Sequence, residues 1–322
     1  MITNRQQSIL NAIVEDYVDY GLPIGSKTVI ERHQVNVSPA TIRNEMKLLE
    51  DMGLIEKVHA SSGRSPSIKG FRYYVDQLLE NTSPRTEYNN QRLNKILADN
   101  NYNLSNALSV YANELSMSTK YTTLIMKPNQ SKDLITDIHL FNTVAHLVIM
   151  VIVFESGNVE HLQLAVPEKI SKNRLVQIAN YIKSIFNADE KSDFSDETFR
   201  HSNDYLIINQ LIELLNQRLN DSTTDIFFGG KANLIDTLNE QNVNSIQQIL
   251  QYLESNKILK LFEDDNQSGI DVKIGQEIDN GLEDISIILS DYHIDNHLKG
   301  HVAVIGPTAM RYQNVIQLLY KV

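Results

Sequence analysis

Residues 37–53 read VSPATIRNEMKLLEDMG, and they spell one complete helix. Ser38 is a preferred N-cap, Pro39 suits the first turn because its missing N–H has no partner there in any case, and Gly53 suits a left-handed stop. Ile42, Met46, Leu49 and Met52 recur every three or four residues, which puts them on the face turned to a core. Ala40, Arg43, Asn44 and Lys47 point the other way, crowded into the first half. Such a face suits a polyanion. In a DNA major groove Arg can bond guanine O6 and N7, Asn can bond adenine N6 and N7, and Ala permits close approach. Ser38 and Thr41 can direct hydroxyls to phosphate near the positive end of the helix dipole. A merely solvated face fits an isolated Arg/Asn/Lys trio equally well, so the flanking sequence has to decide.

Upstream, TNRQQSILNAIVEDYVDYG (3–21) opens with Thr3 and Gln6 at capping-box spacing, carries an apolar stripe (Ile9, Leu10, Ile13, Val14, Tyr17, Val18) and ends at Gly21. A turn at Leu22 and Pro23 leads to GSKTVIERH (25–33), a second short helix capped by Ser26. Three short helices with tight connections are the skeleton of a helix-turn-helix. Downstream the period changes. LIEKVHA (54–60) alternates as a strand, SSGRSP (61–66) is a turn, and SIKG (67–70) is the expected returning strand. Three helices and a hairpin describe a winged helix. Arg64, beside Gly63 and among small hydroxyl residues, is suited to the negative potential of a narrow minor groove. An ordinary solvated hairpin turn is the alternative, but helix and wing in this order are more specific together than apart. The candidate DNA-binding residues are Ser38, Ala40, Thr41, Arg43, Asn44 and Lys47 on the helix, with Lys57, His59, Ser62, Gly63 and Arg64 on the hairpin.

The net charge of −11 argues at first against a polyanion partner, yet its distribution does not. Residues 1–75 hold nine Lys and Arg against eight Asp and Glu, and 57–72 hold four cations and no acid. Screening limits the reach of distant acids to about 8–10 Å, so a local basic stripe on an acidic body is compatible with nucleic acid. The chain has no cysteine, which removes disulfides and thiolate metal sites and fits a reducing, cytoplasmic location. The start, MITNRQQSIL, has no apolar signal-peptide core, and the longest apolar run, VAHLVIMVIVF (144–154), is too short to span a bilayer. It reads as a buried strand, and no membrane partner is expected.

A length of 322 residues suggests two or three domains, and a hydrophobic content of 42% is enough to give them cores. FRYYVDQLLE (71–80) reads as a helix closing a DNA-binding domain at 1–80, and the polar NTSPRTEYNN opens a linker over 81–102. Strand-like runs at 103–168 and 265–322 flank a mostly helical stretch at 169–264. The pattern is α+β, one antiparallel-sheet domain interrupted by a helical insert.

RQQSIL, PIGSKT, SPATIRNEMKLLEDMGLIEK, HASSGRSP and GFRYYVD resemble the N-terminal domain of the HrcA family of heat-inducible transcription repressors, and VKIGQE, LSDYHI and KGHVAVIGPTAMRY resemble its C-terminal strands. The likeness covers both ends of the chain. It implies a repressor that binds an inverted-repeat operator upstream of chaperone operons as a homodimer and is modulated by the GroEL chaperonin. It also implies a winged helix, a GAF-like domain and an inserted dimerisation domain, no enzymatic activity and no cofactor. By motif position Ser38, Thr41, Arg43 and Asn44 become recognition-helix residues, and Gly63 and Arg64 wing residues. The sequence departs from the family pattern at Ser65, usually apolar, at the Ser61 and Ser62 pair, and at Ala309.

Two other readings remain in play. A metabolite-responsive winged-helix regulator would bind its ligand in the GAF-like domain. A metal-dependent enzyme would use His293, His297 and His301 with Asp291 and Asp295, but that segment reads as strand, turn, strand, without the helical spacing that aligns imidazoles on one ion. No metal site is therefore expected. FFGGKAN (227–233) lacks the first glycine and the Ser/Thr of a phosphate loop. The leucine stripe Leu211, Leu214, Leu215 and Leu219 suits either an intradomain core or a dimer interface.

Overall fold

The computed structural model describes residues 2–320 apart from 34–36, 58–62, 82–90, 129–133, 144–145, 156, 187–203, 221–224, 238–242, 255–256, 264–268 and 295–297. It begins with α1 (Asn4–Tyr20), α2 (Ser26–His33) and α3 (Pro39–Asp51), followed by β1 (Ile55–Lys57), β2 (Arg64–Pro66) and α4 (Ile68–Asn81). The capping box forms as the spacing requires: Thr3 accepts from the Gln6 N–H while the Gln6 side chain accepts from the Thr3 N–H, and Gly21 closes α1 at φ 67°. At α2 the helix starts one residue earlier than a Ser26 cap implies. Ser26 is its first residue, and the Gly25 carbonyl accepts from Val29. Ile9, Leu10, Ile13 and Val14 of α1 bury against Val29, Ile42, Met46 and Leu49, one small core for three helices.

The returning strand is Arg64–Pro66, antiparallel to β1, and SIKG is not part of it. Ser67 accepts from the Gly70 N–H instead, and Ile68 opens α4, because a Ser ahead of an apolar stripe favours a helix start over a continued strand. Inside the stretch expected to be linker, α5 (Gln91–Asp99) forms and buries Leu93, Ile96 and Leu97. Of NTSPRTEYNN, Asn81 ends α4 and residues 82–90 lie outside the described residues. Ser65, the polar departure in the wing, is buried on β2.

The body is built on a five-stranded antiparallel sheet. After α6 (Leu104–Thr119) come β3 (Thr122–Met126), β4 (Ile135–Asn142), β5 (Leu147–Phe154), β6 (Val159–Ala165), α7 (Lys172–Phe186) and α8 (Asp204–Asn220). Next are β7 (Ile226–Gly229), α9 (Lys231–Thr237), α10 (Val243–Glu254), α11 (Lys257–Glu263), β8 (Asp271–Ile274), β9 (Ile285–Ile294), β10 (Leu298–Pro307) and α12 (Tyr312–Leu319). The large sheet runs β7-β3-β10-β9-β8. Side chains alternate across it. Ile287, Leu289, Ala303 and Ile305 meet Ile249, Tyr252 and Ile258 on one face, while Ile288, Tyr292, Val302 and Val304 face the core shared with α6, α12 and the winged helix. With both faces covered, β9 is almost wholly buried rather than alternately buried and exposed.

Strands β4, β5 and β6 do not join that sheet. They form a separate three-stranded meander whose buried face packs Leu140, Met150 and Ile152 against Leu175 and Ile178 of α7 and Leu211 and Leu215 of α8. The interrupting unit therefore spans roughly β4 to α8 and is itself α+β. The helical stretch placed at 169–264 divides: α7 and α8 belong to the meander, and α9 to α11 cover the main sheet. Leu211 and Leu215 of the leucine stripe are intradomain core. The two glycines of FFGGKAN serve packing, since a Cβ on Gly229 would lie 2.0 Å from the Ala112 carbonyl oxygen of α6. Among the described residues no helix is long and apolar enough to cross a membrane.

Candidate nucleic-acid interface

Helix α3 is held at both ends and along one side. At its start Ser38 is extended (φ −67°, ψ 151°) and its Oγ accepts from the Thr41 N–H at 3.2 Å. The same Oγ lies 2.9 Å from the Thr41 hydroxyl, so both hydroxyls gather at the positive end of the helix dipole. At its end the Lys69 Nζ donates to the Met52 carbonyl at 2.9 Å, and Gly53 turns the chain at φ 72°. Along the α1 side, Glu45 accepts from Gln6 Nε2 at 3.0 Å and pairs with Arg5 at 3.4 Å. Helix α2 is fastened by a buried acid: Asp16 accepts from Arg32 Nη1 at 3.0 Å and lies 3.0 Å from His33 Nε2. The Arg32 guanidinium also stacks 4.2 Å over the Tyr20 ring.

This scaffold turns Ile42, Met46 and Leu49 inward and leaves Ala40, Arg43, Asn44 and Lys47 exposed on the opposite side. The expected face is therefore assembled, with two differences. Met52 does not share the core face; it is 41% exposed, because the helix ends at Asp51 and Met52 already belongs to the turn. Leu48 is 46% exposed, an apolar side chain one turn beyond Asn44. The sequence reading placed Leu48 on neither face, although its helical phase alone turns it outward.

In the hairpin, Lys57 is exposed and pairs in register with Arg64. His59 and Ser62 lie outside the described residues. Gly63 and Arg64 run against the turn after α1: Arg64 N–H donates to the Ile24 carbonyl at 2.8 Å, and Ile24 N–H donates to the Arg64 carbonyl at 2.9 Å. A Cβ on Gly63 would sit 2.4 Å from the Ile24 oxygen, so only glycine fits that crossing. The Arg64 guanidinium turns toward α3 and meets Glu50, with Nε at 2.9 Å and Nη2 at 2.7 Å from Oε2. Glu50 is a second residue the sequence reading missed, because its partner is distant in the chain.

The winged helix is also seated on the body. Arg72 of α4 donates to the Val272 carbonyl at 2.6 Å and to Glu277 at 3.2 Å, and Arg311 pairs with Asp19 at 3.0 Å. Phe71 stands between Tyr17 and Tyr312, with ring centroids 6.3 Å apart on each side.

The histidine segment supplies the ends of β9 and β10, paired antiparallel, and residues 295–297 between them lie outside the described residues. His301 Nδ1 and Lys299 Nζ each lie 2.7 Å from a different oxygen of buried Asp291. Burial alone would raise the Asp291 pKa, but hydrogen bonds from His301 and Lys299 prevail and hold it below the usual 3.8. His293 faces Lys299 across the ladder, and Asp295 and His297 lie outside the described residues. Among the described residues no group of three or more His, Asp or Glu is arranged to hold a metal ion.

An outward helix bearing Arg, Asn and Lys, preceded by a second helix and followed by a basic hairpin, defines a winged-helix DNA-binding regulator. Comparison with known proteins narrows this. Residues 1–75 match the family model described as "Winged helix-turn-helix transcription repressor, HrcA DNA-binding", and residues 105–316 match "HrcA protein C terminal domain". The chain is 95% identical over 322 residues, the full length of both proteins, to the heat-inducible transcription repressor HrcA of Staphylococcus carnosus (strain TM300). It is 54% identical over 325 residues, again all of both chains, to that of Staphylococcus aureus (strain JH9). A crystal structure titled as a hypothetical protein shares the fold with a TM-score of 0.64 at 22% identity, covering 99% of this chain and 97% of that one. The chain belongs to the HrcA family of heat-inducible transcription repressors, a family of regulators rather than enzymes.

Proposed function

We propose that this chain represses chaperone operons from the cytoplasm by binding an inverted-repeat operator as a homodimer, with the GroEL chaperonin setting its activity. In this reading Arg43 and Asn44 bond base edges, while Ser38, Thr41 and Lys47 fix register on phosphates, and Ala40 lets the helix approach. Lys57, His59, Ser62 and Gly63 belong to the wing that lies along the adjoining backbone. Leu48 adds an apolar surface for a thymine methyl group. The observation that carries the reading is the outer face of α3, whose polar and cationic side chains stay exposed while Ile42, Met46 and Leu49 bury on the opposite side against α1 and α2. Two-fold symmetry supports the dimer, because one winged helix buries too little surface for tight selective binding and an inverted repeat mirrors a protein dyad. We assign dimerisation to the meander unit, whose helices expose Val176, Ile185 and Leu206, and a GAF-like role to the five-stranded sheet. Footprinting on chaperone-operon promoters at stated salt, with and without chaperonin, tests the reading. Paired protected half-sites about one or two helical turns apart, strengthened by chaperonin, are expected; uniform weak protection at all sequences would overturn it.

A further inference from the structure

Arg64 occupies a different place from the free wing tip that its sequence context suggests. Its backbone forms both hydrogen bonds of a bridge to Ile24, at 2.8 and 2.9 Å, and its side chain lies only 19% exposed against α3. There Nε and Nη2 both reach one oxygen of Glu50, at 2.9 and 2.7 Å, and the Glu50 side chain is itself 30% exposed. The turn after α1, the hairpin and the recognition helix thus converge on a single arginine. The absence of a Cβ at Gly63 is what lets the hairpin approach the turn at Ile24 this closely.

We propose that Arg64 is a positioning residue: it fixes the angle between wing and recognition helix by gripping Glu50, rather than neutralising a phosphate or entering the minor groove. Two physical arguments support this. A carboxylate on the recognition helix opposes a polyanion, and the Arg64 guanidinium cancels that charge where it stands. A planar guanidinium approached through two nitrogens also fixes direction, which a lysine ammonium cannot do. The proposal rests on the DNA-binding reading only for its consequence, because the clamp exists in the free protein.

The test uses the full-length chain and has two arms. Operator binding is followed by fluorescence anisotropy over a range of salt, with the footprinted duplex as probe, for Glu50→Gln, Arg64→Lys and the exchange Glu50→Arg/Arg64→Glu. Glu50→Gln removes a negative charge facing DNA, which by simple electrostatics tightens binding; the clamp predicts a loss of about tenfold instead. Arg64→Lys keeps the charge and should lose a similar amount. Both should leave the salt slope unchanged, and the exchange should recover part of the affinity. Full affinity in Arg64→Lys, as a plain phosphate contact would give, or tighter binding in Glu50→Gln would each overturn the proposal. The second arm needs no DNA. Amide exchange at Arg64 and Ile24 should quicken about tenfold in Glu50→Gln while the α1 core amides keep their protection, and unchanged exchange at those two amides refutes the clamp even if the parent binds no operator.

Discussion

Arg43 and Lys47 lie one helical turn apart on the same exposed face, yet they are expected to fail in different ways when removed. A guanidinium that bonds a guanine edge discriminates between bases, so Arg43→Ala should weaken operator binding by about 1–3 kcal/mol and relax specificity at one base pair. Equal loss on operator and random duplex would count against that role. An ammonium on a phosphate is blind to sequence, so Lys47→Ala should weaken both duplexes alike and lower the salt slope by about one, read from the same titrations. Leu48 offers a third kind of contact. Replacing single thymines of each half-site by deoxyuridine deletes only a methyl group. One such replacement should cost about 1 kcal/mol in the parent and nothing in Leu48→Ala, if burial of that methyl follows ordinary transfer energies. At this scale the polar residues of α3 were legible because helical phase and residue type agreed. Leu48 was not, since its type argues inward while its phase argues outward. Glu50 was not either, because the charge that pairs with it is set by a hairpin crossing that no local pattern describes.

Among elements, caps and stripes carried the sequence reading, and failures arose where two signals competed. The α3 boundaries followed from Ser38, Pro39 and Gly53, each with a backbone reason visible in the structure. Ser38→Ala should therefore cost about 1 kcal/mol of unfolding free energy in denaturant titration, by orphaning the Thr41 N–H. It should also loosen operator binding, because the Thr41 hydroxyl loses its 2.9 Å neighbour. Ser38→Asp keeps the cap but places a carboxylate near phosphate, so stability should survive while affinity falls; retention of both would remove Ser38 from the interface. The segment SIKG was ambiguous over four residues, and the Ser67 cap settled it as a helix start. Helix α5 was hidden in a polar stretch because only Leu93, Ile96 and Leu97 mark its buried side.

The whole molecule is organised by which strands pair, and hydrophobic period does not encode that. Strands β4 to β6 are apolar enough to belong to either sheet, so the pattern allowed them to join the split domain, while the structure closes them into a meander of their own. The insert leaves β3 and returns into β7, neighbouring strands paired from Thr123 to Met126, so its two legs stand side by side. A buried ionic cluster joins it to the body at that neck. Lys127, just past β3, meets Glu160 of β6 at 3.2 Å, and Arg218 of α8 reaches the same carboxylate at 2.6 Å. Burial alone would raise the Glu160 pKa, but hydrogen bonds from Arg218 and the attraction of Lys127 outweigh it and hold the pKa below its usual 4.5. A carboxyl depressed on folding contributes stability above its unfolded value and loses that contribution as pH falls through the folded one. The neck should therefore weaken from about pH 5 downward, and amide exchange in β6 and α8 should rise ahead of exchange in β9 and β10. Glu160→Gln leaves Lys127 without its close partner and should destabilise the insert by about 3 kcal/mol near neutral pH, while flattening its acid dependence. Parallel acid profiles for parent and variant would show that the cluster does not hold the neck. If it does hold, the meander unit and the winged helix are both tied to the five-stranded sheet, because α4 and α12 already fasten the winged helix to it through Arg72, Phe71 and Tyr312.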